Sequence, residues 1–130
     1  MKIGFTGTRK GMSDTQRSLL EEALRWLMDI TDAAAGEWAV SKVPEFHHGA
    51  AAGADTEAAG LARRVGYQGV RYPATKGQEL ARNREIVAVI DVLIAAPLQD
   101  REIRRSGTWA TIRYMLAARK PVIMLPRGNG

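Results

Sequence analysis

Five short apolar segments alternate with helix-like segments along the chain, and this alternation limits the possible folds more than any other feature. The clearest segment, residues 91–95, is an almost continuous apolar run of the kind found in strands that are buried on both faces. Strands that alternate with helices pair in parallel through right-handed crossovers. The sequence therefore predicts an α/β fold: a Rossmann-like three-layer sandwich with a central, mostly parallel five-stranded sheet.

Turn residues and helical periodicity give approximate boundaries for these elements. The first helix starts at a cap formed by Ser13 or Asp14 and has apolar positions at helical spacing up to Leu27. We expect residues 31–43 to be irregular and the tail, residues 126–130, to be frayed. The predicted strands are 1–5, 45–48, 69–72, 91–95 and 121–125, and the remaining predicted helices are 54–65, 78–89 and 108–118.

Length and composition predict a single domain that spans residues 1–130. The chain has no cysteine, which excludes a disulfide framework, a thiolate metal site and a cysteine nucleophile, and which favours a reducing compartment. The amino-terminal residues lack the apolar core of a signal peptide, and no apolar run has the length of a membrane span. We therefore expect a cytoplasmic location and no membrane partner.

The positive charge of the chain is concentrated near predicted strand ends. The net charge of +5 is ordinary for a small domain, but a pI of about 10.0 exceeds the value at which nucleic-acid binding is suspected. Clustered guanidinium groups favour phosphate recognition, although a solvated basic loop remains the alternative. The clusters are Arg9 with Lys10, Arg82 with Arg84, and Arg101 with Arg104 and Arg105.

Three loops that combine small residues with a following helix lie at predicted strand ends: residues 6–10, 49–55 and 97–108. Small side chains let an anion approach the backbone, and a helix N-terminus offers free N–H groups with partial positive charge. The loops match neither the P-loop pattern nor the full dinucleotide-binding fingerprint, so an ATPase or an ordinary dehydrogenase is not supported. The alternative for each loop is that its glycine serves only the turn.

The sequence predicts no metal site and no cofactor. His47 and His48 are adjacent on a strand, so their side chains point to opposite faces, and no third ligand is apparent. We expect one histidine in the core and the other at the border of the ligand site. Asp55 is predicted to cap a helix, a role compatible with catalysis. Trp26 and Leu27 are expected to serve packing or a subunit interface.

Four motifs carry a resemblance to a known superfamily: G-F-T-G-T-R at 4–9, H-G-A-A-A-G-A-D at 48–55, R-N-R-E-I-V at 82–87 and R-S-G-T-W-A-T-I-R at 105–113. The chain resembles a small stand-alone member of the SLOG superfamily, which includes LOG-type phosphoribohydrolases, DprA DNA-processing proteins and nucleotide-sensing domains. The resemblance implies a nucleotide site at the carboxyl edge of the sheet. It implies as ligand-binding residues Gly7, Thr8, Arg9, Gly49, Gly53, Asp55, Asn83, Arg105, Ser106, Gly107 and Thr108.

One position departs from the pattern of the hydrolytic LOG enzymes, whose motif P-G-G-x-G-T-x-x-E ends in a catalytic glutamate. The corresponding residue here is Thr111, which cannot act as a carboxylate base. Whether the chain is an enzyme therefore stays open. Asp55 and Glu57 are the catalytic candidates, provided that the helix after the second loop points into the cleft.

Three functions compete at this stage. The first is a binding module, a sensor, carrier or sequestering protein for a nucleotide or a nucleotide-derived signalling molecule. The second is a nucleotide N-glycosidase or phosphoribohydrolase-like hydrolase. The third and least favoured is single-stranded DNA binding of the DprA kind, because only 6% of residues are aromatic and such binding uses aromatic stacking. The apolar helix faces also predict a homodimer.

Overall fold

The computed structural model of the protein describes residues 1–35 and 43–128. Within these ranges, strands and helices follow one another in the predicted order, and α2 has the predicted bounds. The elements are β1 (Lys2–Gly7), α1 (Asp14–Ala35), β2 (Glu45–His48), α2 (Ala54–Val65), β3 (Gln68–Arg71), α3 (Glu79–Val89), β4 (Val92–Ala96), α4 (Gly107–Ala117) and β5 (Val122–Met124).

The five strands form one sheet in the order β3-β2-β1-β4-β5, and every neighbouring pair is parallel. This confirms the predicted Rossmann-like α/β fold. From β1 the chain builds the sheet outward through β2 and β3, and then returns to place β4 on the other side of β1. The strand order therefore reverses between β1 and β4, and a crevice at the carboxyl ends of these two strands is where such sheets bind ligands.

Helices cover both faces of the sheet, and each face has its own apolar core. Ile3 and Phe5 of β1 point into the core under α1 and α2, whereas Gly4 faces α3. A Cβ atom at Gly4 would overlap the Cδ1 atom of Ile90, so the missing side chain lets the end of α3 approach β1. All five residues of β4 are buried, as its continuous apolar sequence predicted.

The first helix is longer than the sequence predicted. Residues 31–35 were expected to be irregular, but α1 continues to Ala35. The Thr31 hydroxyl donates a hydrogen bond to the Leu27 carbonyl (2.9 Å), and the next residue that breaks helices is Gly36. The rest of the predicted irregular segment, residues 36–42, lies outside the described residues.

The carboxyl-terminal segment is also more ordered than predicted, as far as residue 128. The Arg127 amide donates to Oδ1 of Asp100 (2.7 Å), and its Nη1 donates to the Gly11 carbonyl (2.8 Å). These bonds fix the tail beside the loop after β1, and residues 129–130 lie outside the described residues. No helix in the described ranges has the length and apolar composition that crossing a membrane requires.

Candidate functional site

A cavity of about 750 Å³ opens at the carboxyl ends of β1 and β4, where the strand order reverses. This volume lies within the usual range for small-molecule sites. The structure brings nine of the eleven predicted ligand-binding residues together in its wall. They are Gly7, Thr8, Arg9, Asp55, Asn83, Arg105, Ser106, Gly107 and Thr108.

Gly49 and Gly53, the other two predicted residues, do not line the cavity but hold its walls in place. The Gly49 carbonyl accepts a hydrogen bond from Nη1 of Arg82, and a Cβ atom at Gly49 would collide with that guanidinium group. Gly53 has φ +80°, and a Cβ atom there would overlap the backbone carbonyl of Arg9. Both glycines thus allow close contacts that shape the site.

Glu57 does not line the cavity, so the structure does not place this catalytic candidate at the site. Its Oε1 accepts from the Met12 amide (2.7 Å), and its Oε2 accepts from Nη1 of Arg17 (2.8 Å). Residues 55 and 57 are two apart on α2, which turns them about 200° from one another, so they point to opposite sides of the helix. Glu57 therefore joins α2 to α1, while Asp55 points into the cleft.

Asp55 is buried in the cavity wall with 6% of its surface exposed. Its Oδ2 accepts from the amides of Gly49 (3.1 Å) and Ala51 (3.4 Å), so it holds the second loop, and the predicted helix-capping role is wrong. Burial raises the pKa of Asp55 to about 6, and these hydrogen bonds and the charges of Arg82 and Arg9 only partly oppose the effect. A buried carboxyl in a cleft is typical of a functional group.

The amino-terminal end of α4 lies at the cavity. Ser106 is the N-cap, and its hydroxyl accepts from the Trp109 amide (3.2 Å). The first amides of the helix, at Gly107 and Thr108, belong to residues of the cavity wall and have no partner inside the helix. Together with the helix dipole they favour an anion at this position.

Arginines outnumber carboxylates in the cavity wall. Three of the arginines already have partners: Arg82 binds two carbonyls, and Arg9 and Arg113 form ion pairs of 3.5 Å and 2.9 Å with Glu79 and Glu102. The lining arginines are Arg9, Arg82, Arg104, Arg105 and Arg113, and the lining carboxylates are Asp55 and Glu79.

Arg104 and Arg105 differ from these three arginines, because neither side chain has an ion-pair or hydrogen-bond partner within residues 1–35 and 43–128. Both precede α4 directly, so they lie beside the free amides of the helix N-terminus. Two unpaired guanidinium groups next to a positive helix end favour the binding of an anion such as phosphate.

The cavity also has an apolar wall, which the sequence did not predict. The wall consists of Leu80, Leu98, Ile103, Trp109 and Tyr114. Trp109 and Arg113 are four residues apart on α4, so a helical reading of this segment after the third loop could have placed both at the cavity. The wall gives the site room for a flat, weakly polar group beside the phosphate position.

Both histidines are buried, and neither lines the cavity, so the prediction that one of them borders the ligand is wrong. His47 forms hydrogen bonds with the Tyr72 hydroxyl (2.7 Å) and with Glu45 (2.8 Å). Nδ1 of His48 accepts from the Ala50 amide (3.2 Å), and burial lowers the pKa of His48. Among the described residues, no group of three or more possible ligands is placed to hold a metal ion.

Thr111, which occupies the position of the LOG glutamate, has a structural role. It is 2% exposed, donates to the Gly107 carbonyl (2.9 Å) and accepts from Nδ2 of Asn83 (2.8 Å). Oδ1 of Asn83 accepts in turn from Nε of Arg82 (2.7 Å), so the network connects α4 to α3. Thr111 thereby orients Asn83 at the cavity wall.

We expect Thr111→Val to destabilise the protein by about 1–3 kcal/mol, because it leaves the Asn83 amide without its buried acceptor. Urea unfolding measures this change. Thr31→Val is the matched control, since Thr31 makes the same bond to a carbonyl four residues earlier but, in the described part of the chain, accepts no hydrogen bond from a second helix. The control should change the free energy of unfolding by less than about 0.5 kcal/mol. Equal effects of the two substitutions would contradict the proposed network.

Fold and cavity together define an α/β protein with a candidate small-molecule site at the switch point of its sheet. No protein-family model matches the chain, and no curated protein is significantly similar in sequence. In structure, the chain is similar to the molybdenum cofactor binding protein from the phototrophic bacterium Rippkaea orientalis. The TM-score is 0.65 at 17% sequence identity, and the match covers 95% of this chain and 74% of that chain. At this identity the similarity shows the fold.

Proposed function

We propose that this protein binds a phosphate-bearing, nucleotide-derived small molecule in the cavity and acts as its carrier, sensor or sequestering protein. The observation that carries the proposal is the pair Arg104 and Arg105, which have no carboxylate partner in the described ranges and lie beside the N-terminus of α4. A phosphate there would accept hydrogen bonds from guanidinium groups and from helix amides.

The apolar wall suits the rest of such a ligand. Trp109 offers aromatic surface against which a planar heterocycle can pack, whereas Tyr114 already has the Arg84 guanidinium over its ring, 4.7 Å from the centroid. The structural neighbour, described as a molybdenum cofactor binding protein, is consistent with small-molecule binding by this fold. The molybdenum cofactor therefore belongs among the ligands to be tested.

Membership of the SLOG superfamily is part of this proposal. The motif segments 4–9, 48–55, 82–87 and 105–113 each contribute at least one residue to the cavity wall. The motif position that supplies a glutamate in the LOG enzymes carries Thr111, which is buried between α3 and α4. This difference favours binding over phosphoribohydrolase activity.

A hydrolase is the second candidate, and Asp55 is the observation that favours it. A buried carboxyl with a pKa of about 6 at the wall of a cavity can exchange a proton near neutral pH. In this alternative, Asp55 supplies the carboxylate that Thr111 does not. The reaction would release a free base from a nucleoside monophosphate.

Native mass spectrometry distinguishes the two candidates. The purified protein is measured alone and with AMP, ADP-ribose, cyclic nucleotides and the molybdenum cofactor, and the small-molecule fraction is analysed for free base. We expect an intact adduct and no base. Free base that disappears in Asp55→Asn would establish the hydrolase, and the absence of both an adduct and free base with every ligand would contradict both functions.

The same spectra test the proposed homodimer. Trp26 of α1 is 59% exposed, which is unusual for an aromatic side chain without a partner surface, whereas Leu27 beside it is buried in the core. We expect a dimer mass at micromolar concentration, and a monomer would contradict the proposal.

The lack of cysteine supports a reducing, cytoplasmic compartment.

A further inference from the structure

Carboxylates and unpaired arginines mark two ends of the cavity wall. Asp55 is in the first turn of α2, beside the end of β1, since the Ala54 amide donates to the Thr8 carbonyl (3.0 Å), and Glu79 is the first residue of α3. Arg104 and Arg105 follow β4, the strand next to β1. A ligand that extends from one end to the other must therefore present different chemistry to each.

Asp55 has unused hydrogen-bonding capacity at its end of the cavity. In the described part of the chain, its carboxylate accepts hydrogen bonds through Oδ2, from two loop amides, and Oδ1 has no hydrogen-bond partner. Nearby guanidinium groups do not supply one, because Arg82 donates to the carbonyls of Gly49 and Tyr72 and Arg9 pairs with Glu79. A carboxylate accepts up to about four hydrogen bonds, so Oδ1 can accept from donors of a ligand in the cavity.

The required ligand group is a neutral donor. The positive charges of Arg9 and Arg82 near Asp55 disfavour an ammonium group, and the carboxylate repels phosphate. Vicinal sugar hydroxyls provide two neutral donors that one carboxylate can bind together. In dinucleotide-binding sheets, an acidic residue beyond the first helix likewise binds a ribose hydroxyl.

We propose that Asp55 binds the 2′,3′-diol of a ribonucleotide whose phosphate lies toward Arg104, Arg105 and the N-terminus of α4. This inference rests on the proposed function and specifies its ligand class and orientation. In ADP the α-phosphate separates the ribose diol from the terminal phosphate, so one molecule presents a group to each end, and ADP is the first probe.

Calorimetric titrations with ADP and 2′,3′-dideoxy-ADP test the inference. We expect the protein to prefer ADP by about 10- to 100-fold, the usual effect of hydrogen bonds to a charged group. Asp55→Asn should remove this preference. Its affinity for 2′,3′-dideoxy-ADP should be unchanged or higher, because this analogue has no diol and the cavity that binds the anion has lost one negative charge. If Asp55 had only a structural role, Asp55→Asn would lower the affinity for both ligands equally.

Three outcomes would overturn the inference. If neither ligand binds the unmodified protein, the inference fails, whereas the proposed function fails only if the other nucleotide-derived ligands give no adduct in native mass spectrometry. Equal affinities for the two ligands would leave the proposed function intact and exclude the diol site. If Glu79→Gln, rather than Asp55→Asn, removes the ADP preference, the diol lies at the other carboxylate.

A second measurement needs no variant, in case Asp55→Asn does not fold. Diol donors favour the ionised carboxylate, so the ratio of the ADP affinity to the 2′,3′-dideoxy-ADP affinity should fall as the pH decreases through about 6. Phosphate ionisation affects both ligands alike. The charged and titratable groups near Asp55 also change the affinities of both ligands, so they do not change the ratio. These groups are Arg82, Arg9, Glu79 and His48. A ratio that stays constant between pH 8 and pH 5 contradicts the inference.

Discussion

Gly53→Ala is expected to destabilise the protein by about 3 kcal/mol or more and to weaken ligand binding. Gly53 has φ +80°, which costs any other residue conformational energy, and an added Cβ atom would overlap the carbonyl oxygen of Arg9. That carbonyl cannot easily move, because the Ala54 amide bonds to the neighbouring Thr8 carbonyl (3.0 Å). The substitution therefore separates the first loop from α2, and both contribute to the cavity wall.

Gly60→Ala is the matched control in the same helix. Nothing lies within 4 Å of a Cβ atom at Gly60, so alanine should stabilise α2 by about 0.5–1 kcal/mol through its higher helix propensity. Urea unfolding monitored by circular dichroism compares the two variants. If both substitutions stabilise the protein, the close packing of the first two loops is wrong.

Replacement of Arg104 and Arg105 together by glutamine should lower the affinity for a bound nucleotide about 100-fold or more. Each charged hydrogen bond to phosphate contributes about 1.5–3 kcal/mol, and the double variant removes both guanidinium groups. Stability should change by less than about 0.5 kcal/mol, because both side chains are exposed. Calorimetric titration at a fixed salt concentration measures the affinity.

Arg101→Gln is the control for this double variant. Arg101 lies in the same basic loop but does not line the cavity. It should lower the affinity less than about threefold, because a distant surface charge is screened by salt. If the control weakens binding as much as the double variant, the effect comes from the general positive charge of the loop and not from a phosphate site.

Much of the fold could be predicted from the sequence, because each element has a local signal. The run at residues 91–95 indicates a strand buried on both faces, and Gly66 ends α2 where the sequence predicted. The sequence did not predict the end of α1 correctly. Residues 31–35 show little apolar periodicity, which indicated an irregular segment, but they contain no glycine or proline that would end the helix. Order in the tail depends on Arg127 bonding to residues distant in sequence.

The sequence predicted the part of the candidate site that is formed by loops at the ends of strands. The three small-residue loops meet because parallel strands end at one edge of the sheet. The rotation of α2 was not predictable, and it separates Asp55 at the cavity from Glu57 beside Arg17. The apolar wall was missed as well, because Leu80, Leu98 and Tyr114 come from segments that meet only in the folded chain.

The most direct test of the central claim is an NMR titration of the ¹⁵N-labelled protein with ADP, with the backbone amides followed individually. A phosphate at the proposed position should shift the amides of Gly107 and Thr108 most strongly, together with that of Thr8. The amides of α1, remote from the cavity, should stay unchanged and serve as the internal control. Saturable shifts confined to another surface, or no shifts at millimolar ADP, would contradict a nucleotide site in this cavity.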